Sequence, residues 1–200
     1  MDKVDLYILN TKLVLDKYDF VLSFVDTSRK EKALKYLNKK DQLLSLGGSY
    51  LLKRYLPNGN IKESINGKPY LEDGPYFNIS HSGEYVVLAI HPSRDVGVDI
   101  QQINVDKIET IKYVLNESEK DIIDPETLFK IWSNKESLIK CMSSSLKDIR
   151  SINGLPLNGK RVFSNNSYYS ISEIYDGYSL SITLKGESSF KTNINIIDSI

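Results

Sequence analysis

Asp124-Pro125-Glu126-Thr127-Leu128-Phe129-Lys130-Ile131-Trp132-Ser133-Asn134-Lys135-Glu136-Ser137-Leu138-Ile139-Lys140-Cys141 organises the reading of this chain. Asp124 suits an N-cap, because its carboxylate can accept a free amide proton of the first turn. Pro125 costs nothing at the first helical position, where the backbone N–H has no intrahelical partner. Leu128, Ile131, Trp132 and Leu138 recur at helical spacing and predict an apolar stripe on a helix over 124–141. Glu136 and Lys140 then sit one turn apart on a common face. Taken alone, such a pair reads as a surface ion pair worth about 0.3–0.5 kcal/mol.

Downstream, the pattern turns to β. Strands are expected at Arg161–Phe163, Tyr168–Ile174 and Tyr178–Leu184, with Asp176-Gly177 as a hairpin turn. Just upstream, Asp106–Asn116 reads as helical and Ser118 opens a further short turn. Earlier still, Val4–Leu9 alternates as a strand and Asp16–Val25 reads as a short helix. Ser28 is expected to cap a helix with Glu31 completing a capping box. That helix carries Ala33, Tyr36 and Leu37 on one side and Arg29, Lys32, Lys35 and Lys39 on another. A longer helix is expected from Asp41 to Tyr55 with Leu43, Leu46, Tyr50 and Leu51 inward, ended by Pro57-Asn58-Gly59-Asn60. Asn66-Gly67-Lys68-Pro69 reads as a turn. Tyr76–Ser80 and Tyr85–Ile90 read as strands joined through His81-Ser82-Gly83, and Asp95–Ile100 as a third.

Lys35-Tyr36-Leu37-Asn38 and Lys112-Tyr113-Val114-Leu115-Asn116 form a weak internal echo, each leading into a long helix and a hairpin; chance similarity competes with a true repeat. The expected fold is α+β: two similar α/β halves with a pseudo-twofold, each a mainly antiparallel sheet packed against helices. The halves are read as 1–100 and 101–200, with the active site between them.

The chain has 200 residues, and its 26 Lys+Arg balance 26 Asp+Glu. Net neutrality argues against a general nucleic-acid binder. The balance conceals segregation: residues 27–56 hold eight cations against two acids, and residues 95–127 hold nine acids against three lysines. The basic block is a solvated face or an anion funnel. A single cysteine, Cys141, rules out an intramolecular disulfide and a cysteine zinc site, and reads as buried filler at a helix end. Asp2, Lys3, Asp5 and Lys12 interrupt the N-terminal apolar residues, so no signal peptide or membrane span is read, and a cytoplasmic location is expected.

Two further stretches carry possible chemistry. Val96-Gly97-Val98-Asp99-Ile100 delivers one carboxylate in the middle of an apolar strand, where it needs partners or else caps the next turn. Phe77-Asn78-Ile79-Ser80-His81-Ser82-Gly83 places a hydroxyl, an imidazole and a flexible glycine at a strand end, a set that suits a phosphate; a lone histidine is otherwise commonly structural. His91 has no such context and reads as a surface loop residue. No G-x-S-x-G, H-E-x-x-H, Walker or G-x-G-x-x-G pattern occurs.

In order and spacing, Val96-Gly97-Val98-Asp99, followed 33 residues later by Trp132-Ser133-Asn134-Lys135-Glu136-Ser137-Leu138-Ile139-Lys140, resembles the paired signature of the 4′-phosphopantetheinyl transferase superfamily. Phe77–Gly83 and Gly67-Lys68-Pro69 resemble two further motifs of that family, and the length resembles its monomeric Sfp-type subgroup. The resemblance implies transfer of the phosphopantetheine arm of coenzyme A to a serine of an apo acyl or peptidyl carrier protein of fatty-acid, polyketide or nonribosomal-peptide synthesis. It implies that Asp99, Glu136 and Gln101 hold Mg²⁺, and that Glu136 or Glu119 takes the serine proton. Lys140 would neutralise the leaving bisphosphate, and Lys135, Ser80 and His81 would contact phosphates. Arg29 and Lys32 would meet the 3′-phosphate; Gly67, Lys68 and Pro69 would line the adenine pocket, and Ser45 would touch the nucleotide. Two positions depart from the family pattern: Gln101 stands where an acid is usual, and Leu44 where many relatives carry arginine. Gln101 favours the alternative reading, a non-catalytic coenzyme A or carrier-protein binder of the same fold. A structural interaction protein without a ligand is a third.

Overall fold

The computed structural model describes residues 2–57 and 59–200; Asn58, within the expected Pro57–Asn60 helix stop, lies outside the described residues. In chain order the elements are β1 (Asp2–Asn10), α1 (Thr11–Asp16), α2 (Tyr18–Phe24), α3 (Thr27–Leu34), α4 (Lys39–Tyr55), β2 (Ile61–Glu63), β3 (Pro69–Leu71), β4 (Tyr76–Ser82), β5 (Tyr85–His91), β6 (Val96–Gln102), α5 (Ile108–Lys112), α6 (Pro125–Met142), β7 (Gly159–Phe163), β8 (Asn166–Tyr175), β9 (Tyr178–Lys185) and β10 (Phe190–Ile197).

Two four-stranded sheets, β10-β1-β5-β4 and β6-β9-β8-β7, account for the core. Strand alternation gives β1 and β5 two apolar faces. Leu9, Val86 and Leu88 pack under α4 with Leu46, Tyr50 and Leu51. Val4, Leu6, Ile8, Val87 and Ala89 pack instead on Val98, Ile100, Leu180 and Ile182 of the second sheet. The outer face of the second sheet is covered by α6. The layers therefore run helices, sheet, sheet, helix, and the architecture is the expected α+β with mainly antiparallel sheets against helices.

The α6 interface is polar and close. Ser133 Oγ lies 2.7 Å from the hydroxyls of both Ser179 and Ser181, and Ser137 Oγ lies 2.7 Å from Thr183 Oγ1. Short hydroxyl side chains satisfy one another and let helix and sheet approach. Gly97 fixes the closest point, because a Cβ there would lie 2.0 Å from Ser137 O and 2.5 Å from Cys141 N. Both obstacles are backbone, so Gly97→Ala must push α6 off β6. The expected cost is about 1–3 kcal/mol, read as a fall in Tm by scanning calorimetry.

Several elements differ from the sequence expectations, each for a local reason. The first helix starts at Thr11, because the Asn10 side chain accepts from Lys12 N and caps it at once; a break at Lys17 then separates α1 from α2. Asp26, not Ser28, is the N-cap position of α3 and makes no side-chain cap bond; its carboxylate takes Lys53 Nζ at 2.7 Å. Because α3 stops at Leu34, Tyr36 and Leu37 lie beyond it and are exposed. Asn116 rather than Ser118 caps the short turn at Glu117–Glu119, with Glu119 closing the capping box. His91 is buried on β5, where Nδ1 accepts from Ser93 N and Arg94 N; burial lowers its pKa. The hairpin β2–β3 and strand β10 carry too little periodicity to be read from sequence. β10 pairs parallel with β1, so residues 190–197 return to the first sheet, while β6 belongs wholly to the second. The two sheets are thus not divided at residue 100.

Candidate active site

β4 and β6 are edge strands of different sheets that run side by side. Backbone pairing does not join them; side chains do. Asn78 Oδ1 accepts from Val98 N at 2.9 Å, Ser80 Oγ from Ile100 N at 3.3 Å, and Ser82 Oγ from Gln102 N at 3.0 Å. The polar positions of Phe77–Gly83 therefore stand in for a missing ladder strand.

On β6, positions 97, 99 and 101 share one face, the one turned to α6. The close approach at Gly97 brings Asp99 against the turn that carries Glu136 and Lys140. Asp99 is fully buried. Its Oδ1 accepts from Ser80 Oγ at 2.8 Å and pairs with Lys140, while Oδ2 has no partner. Lys140 Nζ lies 3.5 Å from Glu136 Oε2 and 3.1 Å from Ser80 Oγ. Burial and then the Asp99 carboxylate push the Glu136 pKa up to about 7, against the opposing pull of Lys140. For Lys140, burial works against the charge, yet Asp99 and Glu136 hold its pKa above the ordinary value. Two carboxylates thus share one ammonium and lie within hydrogen-bonding reach of one another, and with Glu136 ionised the buried Asp99 Oδ2 has no donor. That set fits a hard divalent cation, which takes one or two carboxylates and fills its shell with water and substrate phosphate. Gln101 is half-buried and occupies the same face of β6.

A cleft of about 450 Å³ opens beside this cluster, lined by Gly67, Lys68, Pro69, Asn78, Glu136 and Lys140 among others. The turn enters through Gly67 at φ +76, and Asn66 Nδ2 ties it to Ser143 O at 2.7 Å, just past the end of α6. Burial lowers the Lys68 pKa, and Nζ approaches Cys141 O at 3.5 Å. His81 is solvent-accessible but crowded: desolvation first, then the Lys140 ammonium, lower its pKa, while Asp41 and Asp99 pull the other way. Cys141 is buried, and burial pushes its thiol up to about 12, which leaves it inert as a nucleophile.

The structure joins Asp99, Glu136, Lys140 and Ser80 by direct contact and sets Lys68 in the cleft with Glu136 and Lys140; His81 feels the charges of Lys140 and Asp99 but does not line the cleft, and other expected residues lie apart. Arg29, Lys32 and Ser45 do not line the cleft; Lys32 Nζ sits 3.8 Å from Glu63 Oε1, and Ser45 O accepts from Ser49 Oγ. Lys135 and Glu119 pair with each other at 2.6 Å with side chains 0% exposed. Lys135 Nζ also donates to Val114 O, and Glu119 accepts from Gly154 N and Asn116 N. Fully enclosed and mutually satisfied, they have no geometry in this structure for a phosphate contact or for taking a proton at the Glu136 cluster. Sequence reasoning assigned no role to Asn78 or Ser82; their signal is the alternation Asn78-x-Ser80-x-Ser82 beside an edge strand.

Residues 14–93 match the family model described as 4′-phosphopantetheinyl transferase, N-terminal, and residues 95–183 match that of the 4′-phosphopantetheinyl transferase superfamily. The chain belongs to the 4′-phosphopantetheinyl transferase superfamily. The two matched transferase segments meet in the loop between β5 and β6. Among curated relatives, 4′-phosphopantetheinyl transferase gsp of Aneurinibacillus migulanus is 33% identical over 146 residues, 64% of this chain and 60% of that protein. 4′-phosphopantetheinyl transferase Sfp of Bacillus subtilis (strain 168) is 32% identical over 136 residues, 60% of each. An L-aminoadipate-semialdehyde dehydrogenase-phosphopantetheinyl transferase of Xenopus laevis is 23% identical over 152 residues, 61% of this chain and 50% of that protein. The match thus spans about 60% of the length of the first two.

Proposed function

We propose that the chain transfers the 4′-phosphopantetheine arm of coenzyme A to a serine of an apo carrier protein, releasing adenosine 3′,5′-bisphosphate. The observation that carries this reading is the fully buried Asp99 carboxylate against Glu136 and Lys140, the last two of which line a cleft together with Gly67–Pro69. Asp99 and Glu136, with Gln101, would hold Mg²⁺, which supplies charge neutralisation on the pyrophosphate. Within this chain, Lys140 and Lys68 give the cleft a cationic lining for phosphate oxygens, and His81 lies near enough to Lys140 to feel its charge. The serine oxygen forms the new bond to phosphorus as the bond to the bisphosphate breaks. The serine proton passes to Glu136, directly or through one water. Such displacements need positioning and charge compensation more than covalent help from the protein. The chain is proposed to act as a cytoplasmic monomer with carrier protein and coenzyme A as its partners; among the described residues no helix is long and apolar enough to cross a membrane.

The test is incubation with coenzyme A, Mg²⁺ and a panel of apo carriers, read by intact mass. Absence of an adduct on every carrier, with a known transferase succeeding in parallel, overturns the proposal. Gln101 is the observation behind a second reading, a non-catalytic binder. Gln101→Glu separates the two: an enzyme gains turnover at low Mg²⁺, whereas a binder stays inactive.

The raised Glu136 pKa sets a pH dependence. Below about 7 the carboxyl carries a proton that a cation must displace. The Mg²⁺ concentration for half-maximal turnover is therefore expected to rise as pH falls, approaching about tenfold per unit for one competing proton. A half-saturation that is flat between pH 6 and 8 contradicts this.

A further inference from the structure

We propose that Ser80 is a positioning residue for Asp99 and not a donor to substrate phosphate, and that Asn78 and Ser82 extend the same clamp along β6. The inference rests on the reading of Asp99 as a metal-holding carboxylate.

β6 pairs with β9 on one side only, so the amides of Val98, Ile100 and Gln102 face away from that partner. Buried amides require acceptors. The neighbouring β4 supplies them from side chains at alternate positions, which point toward β6 by the period of a strand. The three contacts fall at residue 98, at residue 100 and at residue 102, so they bracket Asp99 and Gln101. A backbone ladder would also hold β6, but it carries no proton to a carboxylate. Ser80 does both: it accepts from Ile100 N and donates to Asp99 Oδ1 at 2.8 Å.

That double use exhausts the hydroxyl. A serine has one proton and two acceptor sites. Here the proton goes to Asp99, and the acceptor sites receive Ile100 N and Lys140 Nζ. Nothing remains to donate to a phosphate oxygen unless the Asp99 bond breaks. The same bond commits Oδ1, so Oδ2 is left as the unpartnered oxygen. Asn78, buried, anchors the preceding amide through Oδ1, and Ser82 anchors the following one at the solvent end. Lengthwise placement of β6 and the rotation of its one carboxylate are thus set from the opposite sheet.

Ser80→Ala, Ser80→Thr and Ser82→Ala test this, with two independent readouts. In steady-state transfer, Ser80→Ala is expected to raise the half-saturating Mg²⁺ concentration by about tenfold, with the KM for coenzyme A at saturating Mg²⁺ changed less than about twofold. Ser80→Thr, which keeps the hydroxyl, recovers most of the Mg²⁺ dependence. Ser82→Ala, at the wet end of the clamp and free of folding risk, shifts it in the same direction by about twofold. In the metal-free protein, amide hydrogen exchange over 96–102 is expected to quicken about tenfold in Ser80→Ala while 178–185 keeps its rate. A risen KM for coenzyme A with unmoved Mg²⁺ dependence would show a phosphate ligand and overturn the proposal. So would a Ser80→Thr variant no better than Ser80→Ala, or unchanged exchange over 96–102. Wild-type protein that modifies no carrier defeats the proposed function, and the exchange arm still decides the clamp.

Discussion

Glu136→Gln is expected to cut turnover by orders of magnitude and, in metal-free protein at pH 8, to raise the melting temperature. The two effects share one cause. Glu136 is held beside Asp99 in a buried setting that pushes its pKa from 4.5 to about 7. A folded-state pKa above the unfolded one means that the native protein binds the proton more tightly. Stability is then lost as pH rises from about 4.5 to about 7 and stays low beyond. Glutamine is neutral throughout and escapes that loss. The gain at pH 8 is of order 1–3 kcal/mol, or roughly 3–10 °C for a chain of this size. It is expected to vanish near pH 4, where both side chains are neutral, and to reverse in saturating Mg²⁺, which binds the ionised native state. Loss of a base and of a metal ligand costs about 10²–10⁴-fold in turnover. On the proposed function, coenzyme A binding is expected to persist, because Lys68 and Lys140 still line the cleft. Calorimetry at pH 4 and 8 with and without Mg²⁺, beside transfer rates, checks each limb. A variant with near wild-type turnover removes Glu136 from the reaction.

The sequence made legible what depends on local chemistry. Asp124 and Pro125 start α6, and Asp176-Gly177 turns the hairpin with φ of 46 and 75, because caps and tight turns are decided by neighbours in sequence. The cluster of Asp99, Glu136 and Lys140 was legible through motif order. What stayed hidden depends on distant partners. Lys135 looks like a phosphate-facing cation until Glu119, far away in sequence, is seen to enclose it. Ser80 looks like a phosphate donor until its hydroxyl is seen to donate to Asp99 Oδ1. Ser133 and Ser137 look like a polar helix face until Ser179, Ser181 and Thr183 meet them. Short polar side chains have no periodicity that tells solvent from a hydrogen-bonded interior. β10 was invisible for a related reason: its outward positions are exposed, and only pairing with β1 makes it a strand.

Lys135→Met is expected to unfold the protein far more readily while leaving the proposed coenzyme A binding intact. The ammonium and the Glu119 carboxylate sit 2.6 Å apart with no solvent access. Burial lowers the Lys135 pKa, Glu119 opposes that fall, and the Arg161 charge adds to it. Removing the lysine leaves a buried carboxylate whose remaining partners are the Gly154 and Asn116 amides. Breaking such a pair costs about 3–5 kcal/mol, a large share of the roughly 5–15 kcal/mol that holds a domain folded. The corresponding fall in Tm is roughly 6–20 °C. The Arg161 guanidinium, buried nearby with Nη2 on Gly154 O, offsets part of the charge but reaches Glu119 through no hydrogen bond. The double variant Lys135→Met with Glu119→Gln is expected to recover much of the loss, since it removes the second charge as well as the first. In the folded fraction the KM for coenzyme A stays close to wild type, because Lys140 and Lys68 line the cleft and Lys135 does not. The opposite pattern, an unchanged Tm with a KM raised about tenfold, would place Lys135 on the phosphates and make its pairing with Glu119 incidental to the fold.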